Sequence, residues 1–179
     1  VLTPGQTEGP FYPVALPADR DPDLVRVQGQ AAQAVGRVTH ISGRVLGKRG
    51  QLVPGGKVEI WQCDANGIYD HPGDSGQRRR DGAFQGYGAT SVDSSGRYAF
   101  RTIRPVAYPG RTPHIHFKVY RPDNRVLTSQ MMISGEAMNE RDGVFRSLRP
   151  EDRSLVLAEL TKSARPGFDW ATRFDVVVA

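Results

Sequence analysis

One short stretch of the chain reads Tyr108-Pro109-Gly110-Arg111-Thr112-Pro113-His114-Ile115-His116-Phe117, and the whole chain holds only four histidines. Successive side chains of a β-strand point to opposite faces, so His114 and His116 would project from the same face, one above the other. Two imidazoles on one rigid strand can take neighbouring positions around a metal ion. Tyr108 would arrive from the turn that Pro109 and Gly110 encode. Imidazoles suit zinc, copper, iron and nickel, whereas a phenolate is a hard, strongly donating anion that matches Fe(III). A free tyrosine has a pKa of about 10, and a bound trivalent cation favours its deprotonated form. A pair of imidazoles with a pair of phenolates therefore points to ferric iron more than to zinc.

The second phenolate must come from elsewhere among six tyrosines. Tyr69 follows the strand-like Trp61-Gln62-Cys63 and lies in a long loop, and Tyr87 lies in a glycine-rich loop. Tyr98 and Tyr120 fall within strand-like segments and read as core. The residues themselves favour Tyr69 over Tyr87 only slightly, so both stay open. His40 and His71 complete the histidines. A His-x-His strand alone is more often an exposed or hydrogen-bonded pair, and Tyr-Pro-Gly is more often an ordinary turn. Their tight grouping with Arg111 is what raises the metal reading.

Short strands must position these groups. Val38–Val45 alternates and ends near a Gly47-Lys48-Arg49-Gly50 loop signal, and Lys57–Cys63 forms a second strand after Pro54-Gly55-Gly56. Residues 64–90, dominated by Asp, Gly, Arg and Gln, predict a long loop carrying little core, of the kind that often serves function. Arg97–Ile103 predicts a strand with Tyr98, Phe100 and Thr102 on one face. His114–Tyr120 and Val126–Ile133 form a hairpin across Pro122-Asp123-Asn124. Glu151–Ser163 has the one convincing helical pattern, and Thr172–Val178 closes as a strand. Residues 1–37, rich in Pro, Asp and Gln, predict an extended N-terminal arm. Residues 38–179 then form an all-β, single-domain β-sandwich of mostly antiparallel strands with long loops.

Composition bounds the partners. At 179 residues the chain suits one domain with a real core. Its 20 glycines and 13 prolines favour a turn-rich β protein over a helical bundle. Cys63 is the lone cysteine, so there is no internal disulfide and no cysteine-based zinc site. The net charge of +5 is spread mostly over arginines. Only Arg78-Arg79-Arg80 is a tight run, which reads as a solvated loop, so no nucleic-acid partner is expected. No apolar run approaches membrane-spanning length. The chain opens on Val1 rather than Met, which implies processing or trimming and leaves the compartment open.

In order along most of the chain, the residues resemble the intradiol ring-cleavage dioxygenases, non-haem Fe(III) enzymes typified by protocatechuate 3,4-dioxygenase. The likeness begins at Thr3-Pro4-Gly5-Gln6-Thr7-Glu8-Gly9-Pro10-Phe11 and continues through Ile41–Val45, Val58–Gln62 and Gly67-Ile68-Tyr69. It includes Asp93–Ile103, Tyr108-Pro109, Arg111–Phe117 and Leu127-Thr128-Ser129-Gln130. The resemblance implies that Tyr69, Tyr108, His114 and His116 bind Fe(III), which chooses Tyr69 over Tyr87. It implies that Arg111 and Gln130 contact substrate as charge develops, and that Gly9, Pro10 and Trp61 line the pocket. It further implies a catechol-type substrate, O2 as co-substrate, a cis,cis-muconate-type diacid product and a homo-oligomer. Protocatechuate is the first candidate, with catechol, hydroxyquinol or a substituted lignin-derived diol as alternatives. The connection from Tyr108 to His114 is shorter than in protocatechuate enzymes, with Gly110 where they carry a tryptophan. The competing non-enzyme reading is a transthyretin-like β-sandwich that serves as a binding module.

Overall fold

The computed structural model describes residues 1–179, and strands dominate it. These are β1 (Val38–Gly47), β2 (Lys57–Trp61), β3 (Tyr87–Ser91), β4 (Arg97–Ile103), β5 (His114–Tyr120), β6 (Val126–Ile133), β7 (Leu157–Ala158), β8 (Thr161–Lys162), β9 (Trp170–Arg173) and β10 (Val176–Val178). A four-residue helix, α1 (Gly143–Arg146), and three 3-10 segments complete the regular structure, and no helix is long and apolar enough to cross a membrane.

The strands form two five-stranded sheets. In one, β1 pairs with β4, β9 and β10, and β8 joins through β9; the other has the order β3-β2-β5-β6-β7. Alternation explains why these segments extend. Ile41 and Val45 of β1, Tyr98 and Phe100 of β4, Val58 and Ile60 of β2, Ile115, Phe117 and Val119 of β5, and Met131 of β6 all enter one hydrophobic cluster. Inner residues of both sheets thus share one core. Burying each large side chain contributes about 1.5–3 kcal/mol. Because Ile115 and Phe117 face that core, the pleat turns His114 and His116 to the other side of β5.

Pairing is mostly antiparallel, as expected, although β1 runs parallel to β9 and β10, and β6 to β7. Two other expectations give way. Glu151–Ser163 is not a helix. Pro150–Val156 is a 3-10 turn, Leu157–Ala158 extends beside β6, and Thr161–Lys162 pairs with β9. Val156 and Ala158 are the buried apolar residues there, a spacing of two that suits an edge strand, so sheet pairing overrides local helix preference. Thr172–Val178 is not one strand but breaks at Phe174-Asp175. There the Phe174 carbonyl turns in to accept the Tyr98 hydroxyl, and Asp175 accepts the Arg44 N–H at 2.9 Å. A Cβ on Gly43 would lie 2.0 Å from that Phe174 carbonyl oxygen, so only glycine admits the break.

Residues 64–90 carry more structure than a loop reading allows. They bury Ile68, Tyr69, Ala83, Phe84, Gln85 and Tyr87, and they end in β3. Gly88 hides this strand from propensity, yet it is required: a Cβ there would come within 2.5 Å of Leu24. Residues 1–37 hold no strand beyond a bridge from Asp23 to Arg101, but they are tied down along their length. Thr3 and Gln6 donate backbone N–H groups to Val177 and Thr128, and Leu24, Val25 and Ala34 enter the main core.

Candidate metal centre

Three local devices bring four side chains together. β5 holds His114 and His116 on one face, buried to 1% and 2% exposure. Tyr108 and Arg111 are the ends of a tight turn closed by Arg111 N–H to Tyr108 C=O at 2.9 Å, with Gly110 at φ 81°. Proline then glycine at the two central positions suits a type II turn, where φ must be positive at the second. Tyr69 follows a loop pinned by buried Asp64, which accepts N–H groups from Asn66, Ile68 and Asp81 at 2.7–3.0 Å. Asp74 then accepts the Tyr69 N–H at 3.0 Å, and Gln77 donates to the Tyr69 carbonyl at 2.6 Å.

The donor atoms converge. The Tyr69 hydroxyl lies 3.0 Å from His116 Nε2, 3.2 Å from His114 Nε2 and 3.3 Å from the Tyr108 hydroxyl. Tyr108 is 3.3 Å from His114 Nε2, and the two imidazole nitrogens stand 3.1 Å apart. Donors about 2.0 Å from a shared tetrahedral ion sit about 3.3 Å from each other, so the spacing fits one metal ion. His114 Nδ1 donates to the Thr112 carbonyl at 2.6 Å, which leaves the Nε2 lone pair facing inward toward His116. A cation between them could be bound by both nitrogens in place of a proton shared at 3.1 Å. The donor chemistry, two imidazoles and two phenols, fits a hard trivalent ion.

Burial sets the charge states. It pushes His114 down to about 4, with the Arg111 charge adding to the effect and the Thr112 hydrogen bond opposing it. His116 is held well below its ordinary value by burial, then by His114 and Arg111. Burial drives the Tyr69 phenol well above its ordinary value, reinforced by Tyr108. Tyr108 is also raised by burial, against lowering by Tyr69 and Arg111. Both imidazoles are therefore ready ligands at neutral pH, and a cation must displace the phenolic protons.

Trp61 stacks on the His116 ring (centroids 5.0 Å, 12°), and Phe11 stacks on Tyr69 (4.8 Å, 25°). Trp61, Cys63, Tyr69 and Tyr87 form a small hydrophobic cluster separate from the main core. Gly9, at φ 73°, approaches so closely that a Cβ would touch His116 Cε1 at 3.4 Å. Pro10 links Gly9 to Phe11 and is itself exposed. Gln130 sits opposite His116 in the ladder, accepts from the Arg111 guanidinium at 2.5 Å and donates to the Thr7 carbonyl of the arm at 2.9 Å.

Other candidates fall outside. Tyr87 opens β3 beside Trp61, and its phenol lies toward buried Glu59 rather than among the four converging donors. Tyr120 is not a core residue; half-buried, it also donates to Glu59, at 3.2 Å. His40 lies on β1 with its ring edge-on to Phe168. His71 lies beside Phe11 and accepts the Gly73 N–H. Burial pushes the Cys63 thiol up to about 12, which makes it unreactive. Arg78 and Arg79 are exposed in a 3-10 turn. Two contacts escape the sequence reading. Phe11 could have been noticed as the aromatic after Gly9-Pro10. Asp142, which pairs with Arg111 at 2.8 Å, has no local sign beyond an acid preceding a short turn.

Two buried histidines and two tyrosines thus meet on a β-rich chain, and comparison with known proteins gives its family. A family model described as Dioxygenase matches residues 7–179. The protocatechuate 3,4-dioxygenase beta chain of Burkholderia cepacia is 31% identical over 168 residues, spanning 88% of this chain and 71% of that protein. Hydroxyquinol 1,2-dioxygenase of Corynebacterium glutamicum is 30% identical over 196 residues, spanning 96% and 62%. Among solved structures, the dioxygenase domain of a dioxygenase carbohydrate-binding protein fusion from Streptomyces sp. SirexAA-E superimposes with a TM-score of 0.76 at 31% identity. That match covers 99% of this chain and 98% of that one. This chain belongs to the intradiol ring-cleavage dioxygenase family.

Proposed function

We propose that Tyr69, Tyr108, His114 and His116 hold Fe(III) and that the chain cleaves a catechol between its two hydroxyl-bearing carbons with O2, giving a cis,cis-muconate-type diacid. The convergence of four donor atoms within 3.0–3.3 Å, on a chain of this family, carries the reading. When bound, the ferric ion would draw the catecholate into an oxygen-reactive state. Tyr69 would stay in place, because it is buried to 2% exposure and stacked under Phe11. Tyr108 would yield, because it stands half-buried on a surface turn; its oxygen would then take a substrate hydroxyl proton. Arg111, permanently charged and beside Tyr108, would stabilise the oxygen charge that develops on the ring. Gln130 would hold the guanidinium from the arm side. Trp61 and Gly9 would close the His116 side against water.

Protocatechuate is our first candidate substrate, supported by the Burkholderia relative; catechol, hydroxyquinol and other substituted diols are the alternatives, and hydroxyquinol dioxygenases match nearly as well. The shared core between the sheets supports reading residues 38–179 as one β-sandwich catalytic domain with residues 1–37 as its arm. A homo-oligomer is supported by the exposed Val14 and Leu16 of that arm. Ferric loading followed by oxygen-uptake measurements on a panel of catechols tests the function. Burgundy colour from iron–tyrosinate charge transfer and uptake with at least one diol are expected. A colourless protein that stays inert after loading would return the chain to a binding-module role.

A further inference from the structure

We infer that Asp142 is a positioning residue for this centre: one buried carboxylate sets the aim of the Arg111 guanidinium and, through Thr112, the orientation of His114. The inference rests on the reading of the centre proposed above.

The Asp142 side chain is fully buried, and both its oxygens are used twice. Oδ2 accepts the Arg111 Nε–H at 2.8 Å and the Thr112 backbone N–H at 2.9 Å. Oδ1 accepts the N–H groups of Val144 and Phe145, at 2.9 and 3.0 Å, and so caps α1. Burial alone would push this carboxyl up, but Arg111 and the Phe145 and Thr112 N–H groups hold it below the usual range. The short helix therefore works as a mount that fixes where the second oxygen points.

That second oxygen reaches the centre by two paths. Arg111 is gripped at Nε by Asp142 and at one terminal nitrogen by Gln130, which leaves other N–H groups for Tyr108 and for a molecule bound beside it. Thr112 is held at its N–H by Asp142 and at its hydroxyl by Asn139, at 2.7 Å. Its carbonyl, thus fixed, accepts the His114 Nδ1–H hydrogen bond, which holds the proton on Nδ1 and keeps Nε2 free to ligate. Asp142 itself touches none of the four donor atoms, so its part is to place groups that do.

Asp142→Ser keeps an oxygen for the helix cap but cannot reach Arg111 or Thr112. Asp142→Asn keeps shape and cap but turns an NH2 toward two donors. In iron-loaded protein we expect kcat to fall about 10–100-fold with KM little changed. On an Arg111→Gln background, Asp142→Ser should cost less in kcat than it does alone, because one of the two paths is already cut. In metal-free protein, the His114 Nδ1 proton should exchange with solvent faster in Asp142→Ser than in the unmodified chain, read by NMR.

Normal kcat, losses that multiply in the double variant, or an unchanged His114 proton would each overturn the inference. Should Asp142→Ser fail to fold, Asp142→Asn carries the same comparisons, and loss of fold in both would assign Asp142 a purely structural part. If the unmodified iron-loaded chain cleaves no catechol, the proposed function fails, whereas the metal-free NMR comparison still decides the clamp.

Discussion

The Tyr69 and Tyr108 hydroxyls stand 3.3 Å apart, yet the two residues are held very differently. Tyr69 lies beneath the arm with its ring stacked on Phe11, while Tyr108 rides a tight turn at the surface. On the proposed function, two phenols of one chemical type would thus become a fixed group and a yielding one.

Replacing them should separate those parts. Tyr69→Phe is expected to lose most bound iron, as is His116→Ala, because each removes a rigidly held donor. Tyr108→Phe should retain iron more tightly than Tyr69→Phe, with a shifted visible band and slow turnover. Iron content per chain after ferric loading, with the visible spectrum, distinguishes them. Equal iron loss in both tyrosine variants would contradict the division.

Arg111→Ala should keep the colour and cut kcat by about 100-fold or more, the scale seen when a stabilising donor is removed. Lysine should rescue poorly, because a single ammonium cannot span Asp142 and Gln130 as the guanidinium fork does. Steady-state oxygen uptake measures both variants, and normal turnover in Arg111→Ala would remove it from the mechanism.

Gly9→Ala forces a side chain into positive φ against the His116 ring. Strain of about 1–2 kcal/mol is expected from the backbone alone. Thermal melting of the metal-free chain should show that loss, and the iron-loaded band should shift as the strained arm moves against His116. A variant with unaltered melting and spectrum would mean the arm can withdraw freely.

Acid should destabilise the metal-free chain. Burial lowers His114 from 6.5 to about 4, and His116 moves the same way. In that window the unfolded chain takes up protons that the folded one refuses, so stability rises with pH and is lost as pH falls from 6.5 toward 4. Each histidine contributes at most about 1.4 kcal/mol per pH unit. Iron affinity should rise with pH for a second reason, since binding must release phenolic protons from Tyr69 and Tyr108. Urea unfolding at pH 7 and 5, and iron competition across the same range, measure both slopes.

Much of the centre is legible along the chain because its rules are local. The period of two in β5 places His114 and His116 on one face and Ile115 and Phe117 on the other. Pro109 and Gly110 encode the turn that joins Tyr108 to Arg111. The alternation of β1 and β4 likewise announces the core. Each follows from backbone geometry within a few residues, and no distant contact is needed to enforce it.

Tertiary structure decided what depends on distant partners. On the residues alone Tyr69 and Tyr87 are nearly equal choices, and only the family resemblance prefers the first. Sheet packing delivers the Tyr69 hydroxyl to histidines 45 and 47 positions away, while Tyr87 is drawn to Glu59. Asp142 reaches Arg111 across 31 positions with no periodic signal. The 157–162 segment, helical by local preference, extends because edges of both sheets lie open beside it. Local spacing settles which groups can share a face, but the cost of burying polar atoms unpaired is met only when distant segments dock, so the final partners emerge from the packed fold.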